Sequence, residues 1–114
     1  MPHVSPRKLD ELFFALSDST RREILRELAK GEATVGQLSV PFSLAPSTIT
    51  KHLSVLERAG LVKRTRDGRQ MRNRLNPRAL WTGLEWIEEM RTMWNDQLDA
   101  LERLLERERD GGVR

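Results

Sequence analysis

Ser47, Thr48, Thr50, Lys51 and His52 bring hydroxyls, an ammonium and an imidazole into one short run. Groups of this kind hydrogen-bond to base edges and phosphate oxygens. A second set follows. Arg64, Arg66, Arg69 and Arg72 belong to a stretch, Arg58 to Arg78, with eight basic residues against Asp67 alone. That density suits a polyanion, although a solvated mixed surface would also contain it. Arg21 and Arg22 form a third basic site, for which phosphate binding and surface salt bridging are equal readings. Catalysis finds no footing. The chain has no Cys and no Tyr, no glycine-rich phosphate loop and no His–carboxylate constellation. Its two histidines, His3 and His52, lack partners at zinc-ligand spacing, so no metal site and no cofactor are expected.

The elements that must carry these groups can be read from apolar spacing. Ile49, Leu53 and Leu56 recur at helical intervals and put one face of a helix between Leu44 and Gly60 inward, leaving the polar set outward. Pro46 suits its first turn and Gly60 the position past its last. Ala45 offers it no side-chain cap. Before it, Thr34 and Gln37 fit a capping box, and Val35, Leu38 and Val40 face inward. Pro41 stops that short helix, and residues 42–45 connect the two: a helix-turn-helix layout, or an ordinary pair of packed helices. Further upstream, residues 1–7 read as a flexible arm. The stripe Leu9, Leu12, Phe13, Leu16 predicts a helix over 8–16. Thr20 and Glu23 fit a capping box for the next helix, which carries Ile24, Leu25 and Leu28 and ends at Lys30-Gly31. Glu32-Ala33 is a short link.

Downstream of Gly60, Leu61–Arg66 and Gln70–Leu75 are strand-like, and Asp67-Gly68 is a hairpin turn signal. A two-residue turn there sets Arg66 opposite Arg69 and Lys63 opposite Arg72. Opposed like charges are unfavourable in a sheet unless an anion lies against it. Val62, Met71 and Leu75 share the opposite face from Lys63 and Arg72 and can pack on the helices. A basic hairpin directly after a helix-turn-helix is a wing.

Asn76-Pro77 starts the last helix, as cap and first turn. Leu80, Leu84, Ile87, Trp94, Leu98, Leu101 and Leu105 then form a heptad-type stripe, interrupted by Arg91. A helix over about 77–109 runs roughly 45–50 Å. A globule of this chain length is only about 30 Å across, so the helix must overhang, bend or pair with a second copy. It reads as a dimerisation element packed with the first helix, its interface drawn from Leu9, Leu12, Phe13, Leu84, Ile87, Met90, Trp94, Leu98, Leu101 and Leu105. Intrachain packing is the alternative. Trp81, Trp86, Met90 and Met93 widen the apolar surface, as core or as the wall of an apolar ligand site. From Thr82 to Asp110 nine acids alternate with four arginines, a solvated face. Residues 111–114 read as a frayed tail.

The fold class is therefore mainly α: a winged helix-turn-helix with a two-stranded β-hairpin wing and a long C-terminal dimerisation helix, one domain over residues 8–110. The chain has 114 residues and a net charge of +3, split between a basic middle and an acidic C-terminal segment. No apolar run nears the roughly 18 residues of a membrane span, and the N-terminus lacks a signal-peptide core. With no cysteine, a cytoplasmic location without membrane association is expected.

These residues resemble a known family. Phe14 to Leu28, with Ser17-Asp18-Ser19-Thr20-Arg21-Arg22 and Ile24-Leu25, is similar to the opening of ArsR/SmtB-type bacterial repressors. Ser47 to Val62 resembles that family's recognition helix and entry to the wing, and Arg66 to Gln70 with Arg74-Leu75 resembles its wing. The likeness covers roughly residues 9–108. It implies a homodimer that binds an imperfect palindrome. The Trp-rich last helix resembles a branch often encoded beside small START-like proteins that bind lipids or other hydrophobic ligands. There are departures. The cysteines or last-helix histidines of metal-sensing relatives are missing. Asn73 stands where an aromatic is common, which implies a less well packed wing.

The reading is a sequence-specific DNA-binding transcriptional regulator, a repressor. Ser47, Thr48, Thr50, Lys51 and His52 face bases and phosphates. Arg66 and Arg69 lead the wing contacts, with Arg64 and Arg72 beside them, and Arg21 and Arg22 are candidate phosphate ligands. For His52, packing against the wing is the other reading. The partners are double-stranded DNA and a second copy; an effector cannot be named. The alternative function is a protein-interaction module whose basic wing docks on an acidic partner.

Overall fold

The computed structural model describes residues 5–112. The chain divides into two units, Met1–Gly83 and Leu84–Arg114. In the first unit, helices α1 (Pro6–Leu16) and α2 (Ser19–Leu28) lead into a two-residue strand, β1 (Ala33–Thr34). Helices α3 (Val35–Phe42) and α4 (Pro46–Arg58) follow, then strands β2 (Val62–Asp67) and β3 (Gln70–Leu75). A 3₁₀ turn (Pro77–Ala79) precedes helix α5 (Leu80–Gly112), whose first turn belongs to this unit.

The core is built on α4. Ile49, Leu53 and Leu56 have no exposed surface, and Leu12, Ala15, Ile24, Leu28, Leu38, Leu61 and Val62 complete the cluster. Each such aliphatic side chain contributes roughly 1.5–3 kcal/mol through burial. The helical spacing of the apolar residues thus locates the core faces of α1, α2 and α4. Val40 is the exception: the apolar pattern puts it inside, but it is 79% exposed.

The caps differ from the sequence reading in instructive ways. α1 begins at Pro6, with Ser5 as cap accepting from the Lys8 amide, so Pro6 and Arg7 are helical and not part of an arm. Residues 1–4 of that expected arm lie outside the described residues. Asp18, and not Thr20, caps α2 by accepting from the Arg21 amide at 3.0 Å. A carboxylate is the stronger acceptor beside a helix N-terminus, where it also meets the positive end of the dipole. The Thr34–Gln37 capping box of α3 is present in full. Pro41 does not stop α3 but sits within its last turn; the helix ends at Ser43, which is left-handed at φ 52°.

The sheet has three strands in the order β1-β3-β2, all antiparallel. β1, expected as a plain link, pairs Ala33 with Asn73 and Thr34 with Arg72. The wing register is shifted from the expected one. Asp67 pairs with Gln70, so the loop is Gly68-Arg69, and Arg66 faces Met71, Thr65 faces Arg72 and Lys63 faces Arg74. The cause is Gly68, whose φ of +64° places it first in the loop, as in a type II′ turn. The Arg66–Arg69 and Lys63–Arg72 pairs do not form. One like-charge pair, Lys63 with Arg74, takes their place.

Asn76 is not a side-chain cap. Its Nδ2 donates to the Gly60 carbonyl at 2.8 Å, while its amide donates to the Leu61 carbonyl. This pins the end of β3 to the end of α4. In the first turn of α5, a Cβ on Gly83 would stand 2.7 Å from Leu12 Cδ2. The helix backbone therefore approaches α1 so closely that any larger residue at 83 would push the Leu12 side chain aside.

The second unit is the remainder of α5. The helix continues through Gly111 and Gly112; residues 113–114 of the expected tail lie outside the described residues. The stripe residues Leu84, Ile87, Trp94, Leu98, Leu101 and Leu105 are each 45–60% exposed in the single chain.

Ser43 gives a test. It is exposed and left-handed, a conformation that costs a non-glycine residue about 1–2 kcal/mol. Ser43→Gly relieves that strain but adds freedom to the unfolded chain. We expect a net gain of about 0.5–1 kcal/mol in urea unfolding. A loss of stability would show that the turn is not strained.

Candidate nucleic-acid interface

α3 and α4 with the intervening residues 43–45 form the helix-turn-helix, and β2 and β3 form the wing. Because Ile49, Leu53 and Leu56 face the core, Ser47, Lys51 and Ser54 must face outward, and they are exposed. Thr48 and Thr50 are on the edge of this face, Thr50 half-buried and Thr48 partly shielded. Ala45 gives α4 no side-chain cap, as its residue type implies. Pro46 has no N–H and the Thr48 amide donates to Ala45 O at 3.0 Å, so few amides remain open at this end.

The basic residues separate into two classes by what they touch. Lys51, Lys63, Arg66, Arg69 and Arg74 are exposed and have no carboxylate within ion-pair distance among the described residues. They leave positive charge without an acidic partner on α4, at the wing tip and on the outer strand face. Sequence reasoning does not single out Lys63 and Arg74 as site candidates. Their charge is visible in the sequence, but the expected register pairs Lys63 with Arg72.

Arg72, Arg64, Arg21 and Arg22, the other arginines singled out from the sequence, are engaged. Arg72 Nε donates to Asp67 Oδ2 at 2.8 Å, and its Nη1 stands 3.5 Å from Glu32. The hydrogen bond and charge of Asp67 push the Arg72 guanidinium pKa further up. Arg64 Nε donates to Asn73 Oδ1 at 2.8 Å. Arg21 is 8% exposed. Its Nε donates to Ala15 O at 2.8 Å, its Nη2 to Phe14 O at 2.9 Å, and it lies 5.0 Å from the centroid of the Phe14 ring. Arg22 is exposed, with Nη1 donating to Leu16 O at 2.7 Å. Carbonyls at a helix C-terminus have no partner inside the helix. Arg21 and Arg22 supply partners for α1, which neither the phosphate nor the salt-bridge reading anticipates.

His52 is placed beside α2. Its Nδ1 is 4.0 Å from Asp18 Oδ2, and its side chain is 20% exposed. The packing alternative names the wing; the neighbour is instead the cap of α2. The Arg21 amide hydrogen bond holds the Asp18 carboxyl below its usual range, with the Arg21 and His52 charges adding to it and partial desolvation opposing.

Asn73 corrects the expectation of a loosely packed wing. It has no exposed surface, and its amide reaches both flanking strands. Leu12, placed at a subunit interface by the sequence reading, is buried in the core of the first unit. Leu9, Phe13 and Met90 are half-buried.

Among the described residues, no three His, Cys, Asp or Glu side chains cluster to hold a metal. No described helix is long and apolar enough to cross a membrane. An apolar groove of about 200 Å³ runs beside Phe14, lined also by Asp10, Glu11, Val55 and Arg58, and it brings no nucleophile or base–acid pair together.

The profile for bacterial regulatory proteins of the arsR family matches residues 18–64, from the cap of α2 to the start of the wing. An ArsR-like transcriptional regulator from Rhodococcus sp. RHA1 shares 32% identity and superposes with a TM-score of 0.79 over 88% of this chain and 92% of that one. A crystal structure of an ArsR family transcriptional regulator gives 31% identity and a TM-score of 0.76, over 82% of this chain and 97% of its own. This chain belongs to the ArsR family. It is a winged helix DNA-binding transcriptional regulator and not an enzyme. Among sequence relatives, the transcriptional repressor SdpR of Bacillus subtilis is 32% identical over 79 residues, 69% of this chain and 88% of SdpR. An HTH-type transcriptional regulator of Mycobacterium tuberculosis is 31% identical over 105 residues, 91% and 94% of the two chains.

Two tests separate structure from recognition in this ArsR protein. Arg21→Ala should lower unfolding free energy by about 2–3 kcal/mol, as expected for charged hydrogen bonds removed from a buried site. Arg22→Ala should cost only about 0.5 kcal/mol, as for most exposed positions. Equal losses would contradict the assignment of Arg21 to the α1–α2 corner. The second test concerns Asp18, whose folded pKa lies below its unfolded value. Its charge therefore stabilises the fold above about pH 4 and stops doing so as pH falls through the folded pKa. The melting temperature of Asp18→Asn should trail that of the unaltered protein at neutral pH, with the gap closing in acid. A pH-independent gap would mean that geometry alone matters there.

Proposed function

We propose that the protein represses transcription as a homodimer, with two α4 helices entering successive major grooves of an imperfect palindrome. The observation that carries this is that α4, with its exposed polar face, packs directly against β2 of a wing whose exposed cations Lys63, Arg66, Arg69 and Arg74 lack acidic partners among the described residues. Intrachain stability gains nothing from such a surface, and a phosphate backbone neutralises it with release of counterions. Ser47, Thr48, Thr50 and Lys51 face bases and phosphates. Arg66 and Arg69 lead the wing contacts near its tip, and Lys63 and Arg74 add a cross-strand pair on the opposite, outer strand face. Arg21 and Arg22 serve the fold; His52 acts from the flank of the helix and Arg72 only after loosening from Asp67.

The second copy is supported by α5. Leu84, Ile87, Trp94, Leu98, Leu101 and Leu105 form one stripe, and a helix this long presenting such a stripe to water would be costly without a partner. Half-sites then lie about one helical turn apart. Repression, as opposed to activation, follows the role of SdpR as a transcriptional repressor.

Fluorescence anisotropy on the DNA upstream of its own gene tests the reading. Affinity should fall steeply with salt. Lys51→Ala should flatten the log–log salt slope by about 1 for each phosphate it no longer neutralises, with little change in melting temperature. Salt-insensitive binding, or no binding at micromolar protein, would sink the proposal. A monomeric mass in sedimentation at those concentrations would remove the dimer.

A further inference from the structure

Asn73 is the one polar side chain among the described residues with no exposure at all. Burying an amide is costly unless its polar atoms are paired, and here both ends are used. Nδ2 donates to Ala33 O at 3.1 Å and to Met71 O at 3.3 Å, while Oδ1 accepts from Arg64 Nε at 2.8 Å. The register explains the reach, because Asn73 sits in the middle strand directly opposite Ala33 on one side and Arg64 on the other. Sheet stability does not require this choice. An apolar side chain would fill an inward-facing position without desolvating an amide.

What the amide oxygen does is hold a guanidinium. Arg64 follows Val62 on the inner face of β2 and precedes Arg66 near the tip, so it stands at the root of the wing. It is half-buried, and no carboxylate lies within ion-pair distance of it among the described residues. The N–H donors on its two Nη atoms have no acceptor among those residues either. Arg72, on the neighbouring strand, is the contrast: two acids already occupy it. An arginine steered by a carboxylate is neutralised in the act. One steered by a neutral amide keeps its whole charge, and fixing Nε sets the plane of the fork that binds an anion bidentately.

We infer that Asn73 is a positioning residue for DNA binding, which fixes Arg64 as a preformed phosphate-binding fork at the root of the wing. The inference rests on the DNA-binding reading above. Phosphate contacts of this kind do not depend on sequence, so a random duplex at low salt is a sufficient probe.

The test is a double-mutant cycle on the full chain with Asn73→Ala, Arg64→Ala and the pair, read by affinity for that duplex, with a melting curve for each variant. Ordering one long side chain in advance is worth about three- to tenfold in affinity. Asn73→Ala should weaken binding by about that factor in the unaltered protein and by less than about twofold, the usual error of additivity, in the Arg64→Ala background. Arg64→Lys, which keeps the charge but not the fork, should lose affinity with little change in melting temperature. If Asn73→Ala does not fold, Asn73→Leu, which refills the space, takes its place in the cycle. An equal loss in both backgrounds would overturn the inference, since Asn73 would then act on the wing as a whole. So would unchanged affinity for Asn73→Ala and Arg64→Ala alongside a clear loss for Lys51→Ala, which leaves the DNA-binding reading intact. A protein that binds no duplex at all would bring down both.

Discussion

One face of α4 must be dry for the other to be useful. Ile49, Leu53 and Leu56 have no exposed surface, and α1, α2, α3 and β2 all pack against this helix. A helix held by four elements along its inner face presents its outer residues at fixed angles, without the loop flexibility that would cost ordering entropy on binding. The remaining elements of the first unit can be understood as what is needed to close that cage. β3 pairs with the strand that leaves α4, β1 pairs with β3 on its other side, and Asn76 ties the end of β3 to the carbonyl of Gly60.

Polar groups then settle the corners. α1 ends in carbonyls without helical partners, and Arg21 and Arg22 meet them while the amide of Arg21 is itself held by Asp18. The short sequence Asp18-Ser19-Thr20-Arg21-Arg22 therefore closes one helix and opens the next. Basic residues in this fold do two kinds of work, and proximity to acids or carbonyls decides which. Arg21, Arg22 and Arg72 are engaged by carbonyls or acids; Lys51 and the exposed wing cations are left positive, and Arg64, held by a neutral amide, keeps its charge as well.

The division explains what could be read from the chain. Apolar periodicity reveals the helices and their inward faces, because burial is a one-dimensional pattern on a regular element. The turn residues reveal the hairpin. The capping box at Thr34 is legible because both members lie within a single helical turn. What stays hidden depends on partners distant in sequence. Arg21 looks like any surface arginine until the carbonyls of Phe14 and Ala15 stand beside it. Asn73 looks like a gap in packing because Ala33, its partner, lies forty residues away. The wing register turns on a single dihedral, the positive φ of Gly68, which moves the loop by one residue and changes every cross-strand pair. Val40 follows the apolar pattern and still faces water, since α3 is too short for the pattern to distinguish its sides.

Gly83 carries a consequence for how such chains change over generations. The space where its side chain would begin is filled by a methyl group of Leu12, which is itself enclosed in the core. At position 83 a single added carbon requires the Leu12 side chain to move aside or to lose volume. The two sites are thus coupled through one contact, and a larger residue at 83 calls for a moved or smaller one at 12.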